Sequence, residues 1–164
     1  MTFLENNSMN WQEICENRAL QDLPFKIELN ERGQVVMSPA SNRHGRYQML
    51  IGLMLGAHVE SGEIISECSV ETDRGVRVAD VAWASDGFVK KHGYETPYRI
   101  APELCVEITS PSNSSDEIKE KIQLYLDRGA KEVWVCNDEG GLSFHGRKGG
   151  LKKSRLIPEF PGEI

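Results

Sequence analysis

The chain has 164 residues, 39% of them hydrophobic and 27% charged, with a formal net charge of −6. Those values fit one globular domain with a core of ordinary size, and they argue against a surface that coats nucleic acid broadly, while leaving room for a local basic groove. No apolar run approaches the roughly 18 residues of a membrane span and no basic-then-apolar signal opens the chain, so the expectation is a cytoplasmic protein with no membrane contact.

The first predicted element is a short helix through about Arg18, capped by Asn10 with Glu13 three residues on. Phe25 to Leu29 alternates as a strand, Asn30 to Gly33 makes a turn, and Gln34 to Met37 returns as the second arm of a hairpin that Pro39 breaks. A long helix follows from about Asn42 to Glu60. Its apolar stripe is Tyr47, Leu50, Ile51, Met54, Leu55 and His58, His44 extends the stripe backwards, and Gly62 ends the helix. Gly52 and Gly56 lie on a neighbouring face, a spacing that suits close approach of the helix to a sheet.

Strands are predicted over Glu63 to Val70 and Val76 to Ala84, then a short helical piece from Asp86 to His92. The stretch Ala101 to Ala130 reads as a buried strand, Glu103 to Thr109, a Ser-Pro turn, and a helix from about Asp116 to Arg128 with a capping box at Ser114 and Glu117. Gly129 caps that helix, and strands at Glu132 to Cys136 and Leu142 to His145 follow. The order predicts an α/β (α+β) layer with a mixed β-sheet flanked by helices, in a single domain over 1–164. Its core is placed at about 25–145, with an N-terminal helix in 1–24 and a tail at 146–164. Cys68, Cys105 and Cys136 each sit in a strand-like run with no CxxC spacing, which suits reduced thiols better than a disulfide framework or a zinc site.

Three residues stand out from this scaffold. Glu107 lies inside an apolar strand, where an unpaired carboxylate costs several kcal/mol on burial. Asp80 interrupts the apolar run Val76 to Trp83. Lys121 lies on the core stripe of the following helix with Ile118, Ile122 and Tyr125. Taken singly, a strand acid is a satisfied polar residue at a sheet edge and a helix lysine snorkels its ammonium into water. Together, on these elements, they point to one place. Two carboxylates side by side repel unless a proton or cation is shared, and a hard divalent ion such as Mg²⁺ suits carboxylate and carbonyl oxygens. Such an ion polarises a phosphoryl oxygen and activates water, with Lys121 near that water. No Walker or dinucleotide glycine loop, HExxH or GxSxG offers a rival chemistry.

The pattern VADV, then VEITSPS, then DEIKEKIQLYLDRGAKEVWV resembles the Uma-two group of endonucleases, within the PD-(D/E)XK superfamily, over about Met37 to His145. The resemblance implies a restriction endonuclease-like fold, with Asp80 at the motif aspartate and Glu107 as the acid of the E-x-K element. The chain departs from the superfamily at the lysine: two residues after Glu107 stands Thr109, and Lys121 matches the lysine that this group supplies from the following helix. His44 matches a position the group usually fills with His, and Ala79 replaces the proline of the PD pair.

The expected function is hydrolysis of DNA phosphodiester bonds with Mg²⁺ or Mn²⁺. Asp80 and Glu107 hold the metal, Lys121 assists the water, and His44, Tyr125 and Thr109 line the site. The alternative is an inactive nucleic-acid-binding or scaffold module that has kept the fold. Between Gly140 and Ile157 there is no acid, and Arg147, Lys148, Lys152 and Lys153 read equally as DNA-backbone contacts or as a solvated tail hairpin. Cutting two strands with one site per chain suggests a homodimer.

Overall fold

The computed structural model describes residues 9–164. A six-stranded mixed sheet runs in the order β3 (Glu63–Thr72), β4 (Gly75–Ala84), β5 (Leu104–Ile108), β6 (Glu132–Cys136), β7 (Leu142–Gly146), β8 (Gly149–Leu151). Every neighbouring pair is antiparallel except β5–β6, which is parallel and is joined by the helix α4 (Ser115–Asp127). That is the geometry a strand–helix–strand crossover requires.

The sheet is covered on both faces. On one, Phe88 of α3 (Asp86–His92) and Tyr125 and Leu126 of α4 pack with Ala82, Ala84 and Cys105. On the other, Ile51 and Leu55 of α2 (Asn42–His58) pack with Val81, Leu104, Val106, Trp134 and the C-terminal Ile157 and Phe160. A separate hairpin, β1 (Phe25–Leu29) with β2 (Val35–Pro39), lies over β4. The helix α1 (Trp11–Glu16) seals it, Ile14 packing with Leu29 and Val76. Gly75 permits this close approach: it has φ +87°, and a Cβ there would run into the carbonyls of Leu29 and Asn30. Among the described residues no helix is long and apolar enough to cross a membrane.

Several boundaries differ from the sequence reading. The strand β2 continues through Pro39, which sits at its end opposite Phe25. The helix α2 stops at His58, with Val59 extended, so Gly62 serves the turn into β3 and not the helix end. Gly52 does face β3, where a Cβ would meet Ile64 at 3.8 Å, but Gly56 faces open space and gives no close approach. The largest correction concerns the tail. Residues 146–164 complete the sheet with β8 and the core with Ile157 and Phe160. The buried Glu132 anchors them, accepting from Ser154 Oγ at 2.7 Å and from the Arg155 and Leu156 amides at 2.7 and 3.0 Å. Glycine and lysine content suggested solvent exposure there; the anchoring acid lies twenty residues upstream and left no local signal. The initial residues of the expected N-terminal segment, 1–8, lie outside the described residues.

Candidate active site

The site forms where two central strands part. Pairing of β4 with β5 is confined to Val81–Trp83 against Val106–Leu104. The next pair in that register is Asp80 and Glu107. Beyond the last ladder pair the Ile108 amide donates to Asp80 Oδ2 at 2.7 Å, so a side chain takes over from the backbone ladder. One ammonium lies 3.0 Å from Asp80 Oδ1 and 3.1 Å from Glu107 Oε2, and that places the two carboxylates in one cleft. Both are fully buried in strands, Asp80 at 0% and Glu107 at 3% exposure.

Side chains from three other elements converge on them. From α4, Tyr125 Oη donates to Glu107 Oε1 at 2.7 Å and Lys121 Nζ lies 3.3 Å from Glu107 Oε2. From α2, His44 Nε2 stands 3.2 Å from Asp80 Oδ1, while its buried Nδ1 has no partner among the described residues. From β1, Lys26 Nζ reaches Asp80 Oδ1 at 3.0 Å and Glu107 Oε2 at 3.1 Å. Glu28 on the same strand accepts from Lys121 at 3.1 Å and from the Val78 amide at 2.9 Å. That amide belongs to the part of β4 beyond its pairing with β5. A further hydrogen bond from Gln48 Nε2 to the Asp80 carbonyl, at 2.8 Å, fixes the backbone at the fork.

Charge balance follows from this packing. Burial pushes the Asp80 carboxyl up, but the Lys26 ammonium, His44 and the Ile108 amide outweigh it and hold the group down at about 2. Burial dominates at Glu107 and keeps its carboxyl above the usual range, with Lys121 and Lys26 offsetting only part of that. The hydrogen bond to Asp80 raises the His44 imidazole. Burial raises the Tyr125 hydroxyl well above its ordinary value, so it stays a donor to Glu107.

Of the residues singled out in the sequence, Asp80, Glu107, Lys121, His44 and Tyr125 meet in this cleft. Thr109 lies at its rim, lining a neighbouring cavity of about 270 Å³ with Arg43, His44, Ser110 and Ser112. Arg147, Lys148, Lys152 and Lys153 lie elsewhere. In the β6–β7 register Leu142 opposes Cys136 near the cleft, whereas Gly146, which leads into Arg147, opposes Glu132 at the far end of the sheet. Among the described residues the lysines paired with the two acids are Lys26 and Lys121.

Lys26 and Glu28 went unrecognised in the sequence. In FKIEL they occupy alternate positions of a hairpin strand, a pattern that ordinarily marks a solvent face. Here that face turns inward onto β4. A signal was available in the charge count, since two buried acids with one lysine leave a cation wanting.

Asp80 Oδ1 and Glu107 Oε2 both point at one ammonium, which shows that the cleft accepts a cation between them. No cluster of three or more His, Cys, Asp or Glu among the described residues makes a metal cage. Two converging carboxylate oxygens suit a hard divalent ion such as Mg²⁺, which keeps waters and substrate phosphate in its shell.

A mixed sheet with helices on both faces and acids at a central fork defines a nuclease-like α+β fold. The likeness to a solved structure agrees: a "putative nuclease belonging to DUF820" from Anabaena variabilis ATCC 29413 superposes with a TM-score of 0.63, over 93% of this chain and 82% of that one, at 17% identity. The Uma2 family model, described as "Putative restriction endonuclease", matches residues 14–160, and the chain belongs to that family. No curated protein matches it.

Proposed function

We propose that the chain is a divalent-metal-dependent phosphodiesterase that cuts DNA, working in the cytoplasm as a single-domain homodimer. One observation carries the reading: Asp80 and Glu107 stand opposite each other where the β4–β5 ladder ends, with oxygens converging on one cation position and Lys121 beside Glu107. Family membership supports a nucleic-acid substrate.

In this reading Asp80 and Glu107 would hold Mg²⁺ or Mn²⁺, which would supply polarisation of the phosphate and a more acidic water. Tyr125 locks one oxygen of Glu107 so that the other faces the cleft. The Ile108 amide does the same for Asp80. Lys121 stabilises negative charge as the water attacks. His44 orients Asp80 from the α2 side, and the cavity beside Thr109 and Ser110 receives the nucleotide next to the scissile phosphate. Arg147, Lys148, Lys152 and Lys153, at the other end of the sheet, touch a duplex only at a distance from the cut.

Incubation of supercoiled plasmid, linear duplex and single strands with Mn²⁺ tests the proposal. Cleavage that Asp80→Ala and Lys121→Ala abolish supports it. Failure to cleave any substrate while Mn²⁺ binds rejects it. A specific observation favours a second reading: with Lys26 already between the acids, the cleft is charge-compensated without metal, as an inactive nucleic-acid-binding module would be. DNA binding with neither Mn²⁺ binding nor cleavage selects that module. Sedimentation at tens of micromolar tests the dimer.

A further inference from the structure

The metal reading leaves one buried ammonium without a role. Lys26 sits on a hairpin outside the main sheet, yet its side chain is only 10% exposed and its Nζ touches Asp80 Oδ1 and Glu107 Oε2 at 3.0 and 3.1 Å. Among the described residues it alone pairs with both acids. Lys121, by contrast, bridges Glu107 and Glu28.

The two oxygens that Lys26 bridges are the two that a divalent ion would take. Ion and ammonium cannot both lie between them. A Mg²⁺ ion needs its oxygens at about 2.0–2.1 Å, which draws the carboxylates into the space the ammonium fills and sets two positive centres in contact. Charge points the same way: adding a divalent ion while Lys26 stays sets like charges side by side in a buried site, which is costly.

We propose that Lys26 is a tethered counter-ion that competes with the divalent metal for Asp80 and Glu107 and leaves the cleft when the metal enters. This rests on the metal-dependent reading above and deepens it. Space for it lies next door: Ser38, the cross-strand partner of Lys26, lines a cavity of about 190 Å³ that also carries Glu28, Glu117 and Glu120 together with Arg77 and Lys121. An ammonium displaced there finds carboxylates beside two other cations. The device also keeps the two acids paired before metal arrives, so folding does not depend on the ion.

Mn²⁺ binding to the full chain, followed by loss of the free-ion EPR signal, separates the cases. Lys26→Met and Lys26→Gln are expected to bind Mn²⁺ about tenfold or more tightly than the wild type, tenfold being about 1.4 kcal/mol. Mn²⁺ should also raise their Tm more than it raises that of the wild type. Mg²⁺ added to wild-type chain labelled with ¹⁵N-lysine should shift the Lys26 ammonium resonance towards that of exposed lysines. Equal or weaker Mn²⁺ binding in a folded variant overturns the competition while leaving the metal reading intact. An unmoved Lys26 resonance at saturating Mg²⁺ overturns it too, and decides the matter if neither variant folds. If neither the wild type nor the variants bind Mn²⁺, the competition and the metal reading fall together.

Discussion

Replacing Lys121 by alanine removes an ammonium 3.3 Å from Glu107 Oε2 and 3.1 Å from Glu28 Oε1, and its effects on fold and chemistry separate cleanly. Neither carboxylate is stripped bare. Glu107 keeps Tyr125 and Lys26, and Glu28 keeps the Val78 amide. The stability cost is therefore about 1–3 kcal/mol, the scale of a lost charge-assisted hydrogen bond, and not the 3–5 kcal/mol or so of orphaning a buried charge. For a chain of this size that lowers Tm by roughly 2–12 °C. Turnover should fall by about 10²–10³, the usual loss when one charge-stabilising donor is removed. Mn²⁺ binding should stay within a few-fold of wild type, since the acids supply the ligands. Conversion of supercoiled plasmid to nicked and linear forms, with Tm and Mn²⁺ binding measured on the same preparation, gives all three numbers. Wild-type cleavage rates in Lys121→Ala would refute the assignment. Mn²⁺ binding that falls in step with turnover would show that the lysine maintains the site and does not serve the attacking water.

Other expectations come from the same packing. Tyr125→Phe leaves Glu107 Oε1 without its 2.7 Å donor in a buried cleft and should cost about 1–3 kcal/mol, read as a lower midpoint in urea. Glu132→Ala deprives Ser154, Trp134 Nε1 and two amides of their acceptor, so hydrogen exchange at Arg155 and Leu156 should accelerate well before the rest of the sheet opens; uniform protection would show that the tail is held by Ile157 and Phe160 alone. Burial pushes the thiols of Cys68 and Cys136 up to about 12 and 11, and raises that of Cys105 well above its ordinary value. An alkylating reagent at pH 8 should therefore modify the exposed Cys15 first and reach the other three only on unfolding, as mass spectrometry would show.

Much of this site was legible in the sequence because each residue broke a local rule. An acid amid Leu104, Cys105, Val106 and Ile108, and a lysine on the stripe that carries Tyr125 and Leu126, contradict their own periodicity, and contradiction of that kind survives without any knowledge of topology. The fold class was legible for the complementary reason: capping boxes at Asn10 and Ser114 and turn glycines at Gly33, Gly75 and Gly129 all agreed with the hydrophobic pattern. What stayed hidden depends on pairing across long separations. That Asp80 faces Glu107 is a matter of β4–β5 register, and register is set by packing on both faces of the sheet, not by either strand's residues.

The hairpin shows the limit most sharply. Lys26 and Glu28 obey strand alternation, so nothing local distinguishes a polar face turned to water from one turned onto β4. Only the approach permitted at Gly75, 50 residues or so along the chain, decides between them. The consequence is functional as well as structural. A side chain on an ordinary-looking hairpin closes the charge balance of a cleft built by two central strands and a helix. Substitutions in β1 that leave its hydrophobic residues alone should therefore change how the cleft handles cations, while equivalent changes on the exposed turn at Glu31 and Arg32 should not.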